Sequence, residues 1–397
     1  VKQIIGYSAM SQPAEREQLT KILARCFGAP ASHWEPYFSR VGPGNFRIVR
    51  LGEEIAGGLA IYFMGQWFGG KSMPLAGIAA VGVAPEFRGT GVAFELVART
   101  LRELRESGIP LSALYASTQH LYRRVGYEQA GTRCQFMLPT RSIGTEDRSL
   151  PLSAVDPARH EVFHDLYRKR AMRSAGNLDR SQAIWERMVS PHPGADPEEL
   201  MHAYITGEEG RPEGYVVFTQ SDREGGYDLA VRDLVALTPN AARRLLTFFA
   251  DHRSLARELV WWGPLSDPLA CLFPEQDYRV KQVQRWMMRI VDVPKALGMR
   301  GYPEDIQEAE LHLEVWDDVL PENQGPWVLR VADGQGAVTA GGRGELKLAV
   351  SGLATLYSGF LTASQLAEIG FLSGPPHALA TATRFFAGPE PWMPDFF

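Results

Sequence analysis

The stretch Val81-Gly82-Val83-Ala84-Pro85-Glu86-Phe87-Arg88-Gly89-Thr90-Gly91-Val92-Ala93 restricts the fold more than any other part of the chain. A small apolar strand, Leu75 to Ala84, runs into a proline turn, two closely spaced glycines and then a helix. That helix, Gly91 to Ser107, carries Ala93, Val97, Leu101 and Leu104 on one stripe. A second apolar run, Ile109 to Ser117, follows it. Strand, crossover helix and returning strand bury one helix face on a sheet, so the order predicts an α/β fold. Free N–H groups at the helix start, with the positive end of the helix dipole behind them, suit an anion such as a pyrophosphate. Gly89 and Gly91 let the backbone come close to such a group, Thr90 offers a hydroxyl and Arg88 a charge. A bare Gly-x-Gly is equally compatible with an ordinary turn.

At 397 residues the chain suggests two or three domains. In the first segment, Ala14 to Phe27 reads as an amphipathic helix. Phe46 to Leu51 and Ile55 to Met64 read as a hairpin, Gln119 to Val125 as a short helix and Gln129 to Leu138 as a strand. Arg141 to Pro151 is polar and turn-rich, as a linker would be. Helical patterns over Pro157 to Met172 and Ser181 to Val189 follow, then strands at Tyr215 to Thr219 and Tyr227 to Leu237. A helix from Asn240 to His252 and a strand from Leu259 to Trp262 close this segment. The order strand, proline turn, helix, strand thus occurs twice, around Pro85 and again around Pro239, which suggests a duplicated unit. The second copy has no glycine turn before its helix and is a poor cofactor holder. From about Ile290, four strands (Glu310 to Val315, Trp327 to Ala332, Ala337 to Ala340, Glu345 to Val350) precede helical stretches around Leu353, Leu366 and Ala380. The final residues, Pro391-Trp392-Met393-Pro394-Asp395-Phe396-Phe397, are too aromatic for a free tail and are expected to dock.

Several function classes are disfavoured. A net charge of −5 without an extensive basic cluster argues against nucleic acid. Cys26, Cys134 and Cys271 are scattered, and neither they nor the nine histidines make up a recognised metal-binding motif, so no metal is expected. No apolar run approaches the ~20 residues of a membrane helix, and no leader pattern is seen. The expected setting is the cytoplasm.

The Val81–Ala93 motif resembles the coenzyme A-binding signature of the GNAT acetyltransferase superfamily. Leu121-Tyr122-Arg123-Arg124-Val125-Gly126-Tyr127 looks like that superfamily's Tyr-x-x-x-Gly-aromatic element. Over essentially its whole length the chain resembles the Eis (enhanced intracellular survival) family of bacterial aminoglycoside acetyltransferases. The resemblance rests on Ala116-Ser117, Tyr122 to Tyr127, the junction Trp286-Met287-Met288-Arg289-Ile290-Val291-Asp292-Val293-Pro294, and the aromatic terminus.

The resemblance implies tandem GNAT folds, the second degenerate, plus a C-terminal sterol-carrier-like α+β domain. The implied divisions are 1–140, 141–290 and 291–397. It implies acetyl transfer from acetyl-CoA, without a metal, to a primary amine of a small polycation such as an aminoglycoside. A homo-oligomer, a hexamer by the same resemblance, would be the assembly. Tyr122 would protonate the departing thiolate, which is chemically sensible for a phenol of pKa ~10 and a thiol of ~8.5. The α-carboxylate of Phe397 would be the base, with burial beside Trp392, Phe396 and Phe397 anchoring the terminus and raising its pKa. The terminus would then cross the third domain's surface. Coenzyme A would meet Val81, Gly82 and Val83 along the pantetheine, then Arg88, Gly89, Thr90, Gly91, Val92, Ala93 and Phe94, and also Ser117 and Thr118. Trp34 and Tyr115 would line the acceptor pocket. One position departs: Phe396 stands where some relatives carry an acidic residue. Residue chemistry alone leaves Tyr122 open as a half-buried helix aromatic and the tail open as simple packing. It also leaves open a protein-lysine acetyltransferase, or a hydrophobe-binding protein with a vestigial transferase site.

Overall fold

The computed structural model describes residues 5–189 and 200–397. In chain order the first segment forms β1 (Ile5–Ala9), α1 (Pro13–Phe27), α2 (Ala31–Val41), β2 (Phe46–Leu51), β3 (Glu54–Phe68) and β4 (Lys71–Val83). It continues with α3 (Val92–Glu106), β5 (Leu111–Tyr115), α4 (Gln119–Arg124) and β6 (Glu128–Pro139). Next come β7 (Leu152–Val155), α5 (His164–Met172), the two-residue β8 (Leu178–Asp179) and α6 (Gln182–Val189). They lead to β9 (Met201–Glu208), β10 (Arg211–Arg223), β11 (Gly226–Ala236), α7 (Pro239–Ala250), β12 (Ala256–Gly263) and β13 (Arg279–Ile290). The last segment is α8 (Val293–Met299), β14 (Ala309–Trp316), β15 (Gly325–Ala332), β16 (Gln335–Ala340) and β17 (Leu346–Ala349). It ends with α9 (Val350–Ser358), α10 (Ala363–Glu368), β18 (Leu372–Ser373) and α11 (Pro376–Phe385).

The chain divides into two compact bodies. One takes in the described residues to Gly131, Trp286–Gly388 and, separately, Phe397; the other takes in Thr132–Arg285 and Pro389–Phe396. In the first body, β1 to β4 pair antiparallel in chain order, and β4 then pairs in parallel with β5. The parallel step is made by α3, which lays Leu96, Val97, Leu101 and Leu104 on a core with Leu59, Ile61, Ala76 and Ile78. The second body repeats this. β7, β9, β10 and β11 pair antiparallel, and β11 pairs in parallel with β12 after α7 buries Leu245, Leu246 and Phe249.

The two repeats exchange their last strands. β6 follows β5 in sequence but pairs with β12, from Glu258 opposite Pro139 to Gly263 opposite Cys134. The end of β13 pairs instead with β5, with Trp286 opposite Tyr115 and Ile290 opposite Leu111. The third segment adds a separate five-stranded sheet, ordered β16-β15-β14-β17-β18.

Several local details differ from the sequence expectations, among them β1, β7 and β9, which lie in stretches assigned no strand. α2 was not foreseen, because Pro36 sits inside it and its aromatic residues break a clean helical stripe. β13 lies in a stretch assigned no strand, since its first half is exposed and charged while its second half is buried. The strand expected over Glu345 to Val350 stops at Ala349, where Val350 begins α9. The helix expected over Pro157 to Met172 is a 3-10 turn, His160–Phe163, running into the shorter α5.

Candidate active site

Backbone geometry opens the sheet of the first body beside the motif. β4 and β5 are paired only from Leu75–Gly77 to Leu111–Ala113, so Ile78 to Val83 run on past the end of that ladder. On the other edge, β4 shifts register against β3 between Gly58 and Ala60, placing Ala80 and Val81 opposite Leu59. Ala80 takes φ 49°, a left-handed value rare for a residue with a Cβ. Such a bulge bends a strand and re-aims its polar groups, and next to a site it is a functional feature. Past Gly77 this edge of β4 has no strand partner and can pair with an extended ligand, although the Val83 carbonyl already accepts from Cys26 Sγ at 3.3 Å.

At the end of that edge, Gly91 caps α3 with φ 86° and Gly89 has φ 76°. No side chain caps the helix, and open space surrounds both glycines. The first-turn N–H groups of a 15-residue helix, including those of Val92, Ala93 and Phe94, thus face outward where an anion can take them. Thr90 Oγ1 donates to the Phe87 carbonyl at 2.6 Å, so this hydroxyl shapes the turn. Arg88 is exposed, and its Nε donates to the Val83 carbonyl at 3.4 Å. Arg124, not singled out from sequence, lies 5.1 Å over the Phe94 ring and brings a second cation to the helix mouth. Its spacing, two residues after Tyr122, was the available signal. Ser117 and Thr118 are exposed between β5 and α4 and carry no such arrangement of contacts.

Tyr122 is 5 % exposed, and burial alone pushes its phenol up to about 12. It packs edge-on to Tyr127, ring centroids 5.9 Å apart, and the Tyr127 N–H donates to the Tyr122 carbonyl at 3.0 Å. Tyr127 is fixed in turn by Ser112, whose Oγ is 2.7 Å from its hydroxyl and donates to the Ala76 carbonyl at 2.8 Å. Gly126 between them needs φ 87°, and a Cβ there would stand 2.9 Å from the Arg289 guanidinium. Arg289 is fully buried and bonded at 2.7 Å to both oxygens of Asp317. The Tyr-x-x-x-Gly-Tyr spacing is thus enforced by packing on β5 and β13.

A chain of rings leads from α2 to Phe397, and it includes Trp34 and Tyr115, the two residues expected to line an acceptor pocket. Trp34 meets Tyr37 at 5.5 Å, Tyr37 meets Tyr62 at 6.3 Å, and Tyr62 meets Phe397 at 5.9 Å. Phe397 in turn meets Tyr115, at the end of β5, at 6.0 Å. Trp34 is buried, with its indole N–H unpartnered among the described residues. Phe397 fits because Gly77 has no side chain: a Cβ there would lie 2.6 Å from the Phe397 ring. Tyr37, Tyr62 and Gly77 were missed from sequence. A glycine inside an apolar strand is a known sign of close approach, and it was the usable clue.

Phe396 does not share this burial. It is 40 % exposed, against 7 % for Phe397, and it is held through its carbonyl, which accepts from Arg187 Nε at 2.6 Å. Residues 389–396 also pack with Thr132–Arg285 rather than along the third sheet, which corrects the expected route of the tail. Among the described residues no group of three or more His, Cys, Asp or Glu could hold a metal ion, and no helix is long and apolar enough to cross a membrane.

Comparison with known proteins agrees with this geometry. An acetyltransferase (GNAT) domain profile matches residues 10–130, a second one matches 176–290, and a sterol carrier protein domain profile matches 293–394. N-acetyltransferase Eis of Mycobacterium tuberculosis is 30 % identical over 316 residues, covering 74 % of this chain and 73 % of the relative. The chain belongs to the Eis family of N-acetyltransferases. Two crystal structures extend the comparison. A GCN5-related N-acetyltransferase from Anabaena variabilis superimposes with a TM-score of 0.96 at 45 % identity, over 99 % of this chain and 100 % of that one. One from Kribbella flavida gives 0.87 at 30 % identity, over 100 % and 99 %. This Eis-family enzyme therefore combines two GNAT domains with a sterol-carrier domain, and GNAT acetyltransferases use acetyl-CoA as their co-substrate.

Proposed function

We propose that the enzyme moves acetyl from acetyl-CoA directly to a primary amine of a small polycationic acceptor, an aminoglycoside being the type, within the first GNAT domain. In this reading the domains follow the divisions 1–140, 141–290 and 291–397. The pyrophosphate rests on the α3 N-terminus between Gly89 and Phe94 with Arg88 beside it, and the pantetheine lies along Val81–Val83. The observation that carries the reading is the seat of Phe397, whose ring is inserted between Tyr62 and Tyr115 of the catalytic domain. Trp34, Tyr37 and Tyr62 are buried against one another, and the half-buried Tyr115 is the ring of this chain best placed to meet a cationic amine, since ammonium groups are attracted to aromatic rings.

The acceptor nitrogen attacks the thioester carbonyl, forming the C–N bond as the C–S bond breaks. Tyr122 supplies its proton to the departing sulfur. Its raised pKa keeps the phenol protonated at every working pH, and a thiolate in the same dry surroundings is itself made more basic. Where Phe397 is the last residue of the polypeptide, its α-carboxylate takes the proton lost by the amine, directly or through one water. The test is a thiol-release assay with acetyl-CoA against aminoglycosides, simple polyamines, neutral amines and a lysine peptide. The reading expects the aminoglycosides to give the highest kcat/KM. A preference for the lysine peptide would replace it with protein acetylation.

A further inference from the structure

Residues Pro389–Phe396 are built into the second body step by step. The Glu390 carboxylate accepts the N–H groups of Leu265 at 3.1 Å and Ser266 at 2.9 Å. Trp392 forms a parallel bridge with Thr132 in β6: the Thr132 N–H donates to the Pro391 carbonyl at 3.1 Å, and the Met393 N–H donates to the Thr132 carbonyl at 3.2 Å. The Trp392 N–H donates to the Ala175 carbonyl at 3.0 Å, and its own carbonyl accepts from Asn177 Nδ2 at 2.9 Å. Asp395 then meets Arg180 Nε at 2.9 Å and accepts from the Tyr167 hydroxyl at 3.3 Å. Arg180 is shared with Asp233 at 2.5 Å, and its guanidinium lies 3.7 Å over the Tyr167 ring.

This is an expensive way to hold a tail. Burial and the nearby Asp233 charge push the Asp395 carboxyl above the ordinary carboxylate range, despite the attraction of Arg180. A buried ion pair of this kind contributes little net stability compared with apolar packing, but it specifies one geometry. Backbone bonds at residues 391–393 and the ion pair at 395 together fix the register, so a slip by one residue would break all of them. Two residues of chain span at most about 7 Å, so fixing Asp395 confines Phe397.

We propose that Asp395 and Arg180 are positioning residues for acetyl transfer: by fixing residue 395 they confine Phe397, two residues further along the chain. This rests on the reading above that the Phe397 end takes part in the reaction.

The test uses the whole chain in four forms: Asp395→Asn, Asp395→Glu, Asn177→Ala, and a protein with one glycine added after Phe397. Asp395→Asn keeps the shape and leaves Arg180 its pairing with Asp233, and Asn177→Ala releases only the Trp392 carbonyl, so Asn177→Ala stands in if Asp395→Asn fails to fold. The expected result is a kcat lowered about tenfold to a hundredfold in Asp395→Asn, with a smaller fall in Asn177→Ala, as misplacement by an ångström produces. The KM for acetyl-CoA should stay within about twofold and Asp395→Glu should recover part of the rate, neither of which a general loss of structure would give. If Asp395→Asn and Asn177→Ala keep kcat within about twofold while the added glycine inactivates, the inference is overturned and the role of the terminus stands. If the added glycine is also harmless, the reading of the terminus fails and the inference falls with it. A parallel loss of kcat, acetyl-CoA affinity and melting temperature in Asp395→Asn and Asn177→Ala would likewise overturn it.

Discussion

The ring of Phe397 occupies space that exists only because residue 77 is glycine: a Cβ at Gly77 would stand 2.6 Å from the Phe397 ring and 2.5 Å from the Met64 methyl. Gly77 is also the last β4 residue paired with β5, so the end of that ladder and the seat of the Phe397 ring share one residue. Gly77→Ala is therefore expected to displace Phe397 rather than unfold the sheet, because both clashing groups are ends of movable side chains. Steady-state kinetics should show kcat reduced about tenfold or more. Acetyl-CoA binding, followed by calorimetry, should be little changed. Unchanged kcat would mean that the ring's position does not matter.

Tyr122→Phe removes one buried hydroxyl with little change in volume. Turnover should fall about a hundredfold or more with acetyl-CoA affinity retained, as expected on losing a general acid. The pH profile adds a second check. The active form is the neutral phenol, and burial raises its pKa from 10.0 to about 12, so protonation persists as pH rises through the normal tyrosine range. Between pH 6 and about 10 no alkaline fall in kcat should come from Tyr122. An alkaline limb near pH 9 that vanishes in Tyr122→Phe would contradict this assignment.

Cofactor stoichiometry separates the two repeats. Gly89 and Gly91 open α3, whereas α7 begins at Pro239 with the Thr238 hydroxyl accepting from the Ala241 N–H, so its first turn is already capped. Titration calorimetry should find one coenzyme A per chain, and Gly91→Ala, which must adopt φ 86° at about 1–2 kcal/mol of strain, should weaken it. Two equivalent sites per chain would show that the second repeat also binds.

Gly126→Ala is expected to destabilise the catalytic domain strongly. It combines φ 87° with a Cβ 2.9 Å from Arg289 and 3.0 Å from Val350. Left-handed strain and overpacking together should cost about 2–4 kcal/mol in denaturant unfolding. A loss below about 0.5 kcal/mol would mean that Arg289 and Val350 move aside freely.

How far these features could be read from the sequence depended on how local their causes are. α3 and its glycine turn are encoded within a dozen neighbouring residues, and the expected helix, Gly91 to Ser107, lies within a residue or two of the observed one. The recurrence around Pro85 and Pro239 is likewise carried by local order, and it appears as two parallel pairs bridged by α3 and α7. Strand exchange was illegible, because nothing near β6 or β13 states which sheet each will join; that choice depends on contacts over a hundred residues away in sequence. The ring chain was half legible. Trp34 and Tyr115 came from family resemblance, while Tyr62 ends a buried run, Ile55 to Tyr62, where an aromatic residue is unremarkable. Phe396 and Phe397 look alike in sequence and diverge in the structure, because Gly77 provides a seat for only the second ring.

The most direct test of the central claim is the rate of acetyl transfer by a protein ending at Phe397, checked by intact mass, against the same protein carrying one extra glycine. The added residue moves the terminal charge by up to ~3.5 Å, beyond the ~2.6–3.2 Å reach of proton transfer. The account predicts that turnover collapses while coenzyme A affinity and melting temperature hold. Acetylation at the native rate by the extended protein would contradict it, and the base would then have to be an internal group or a water relay.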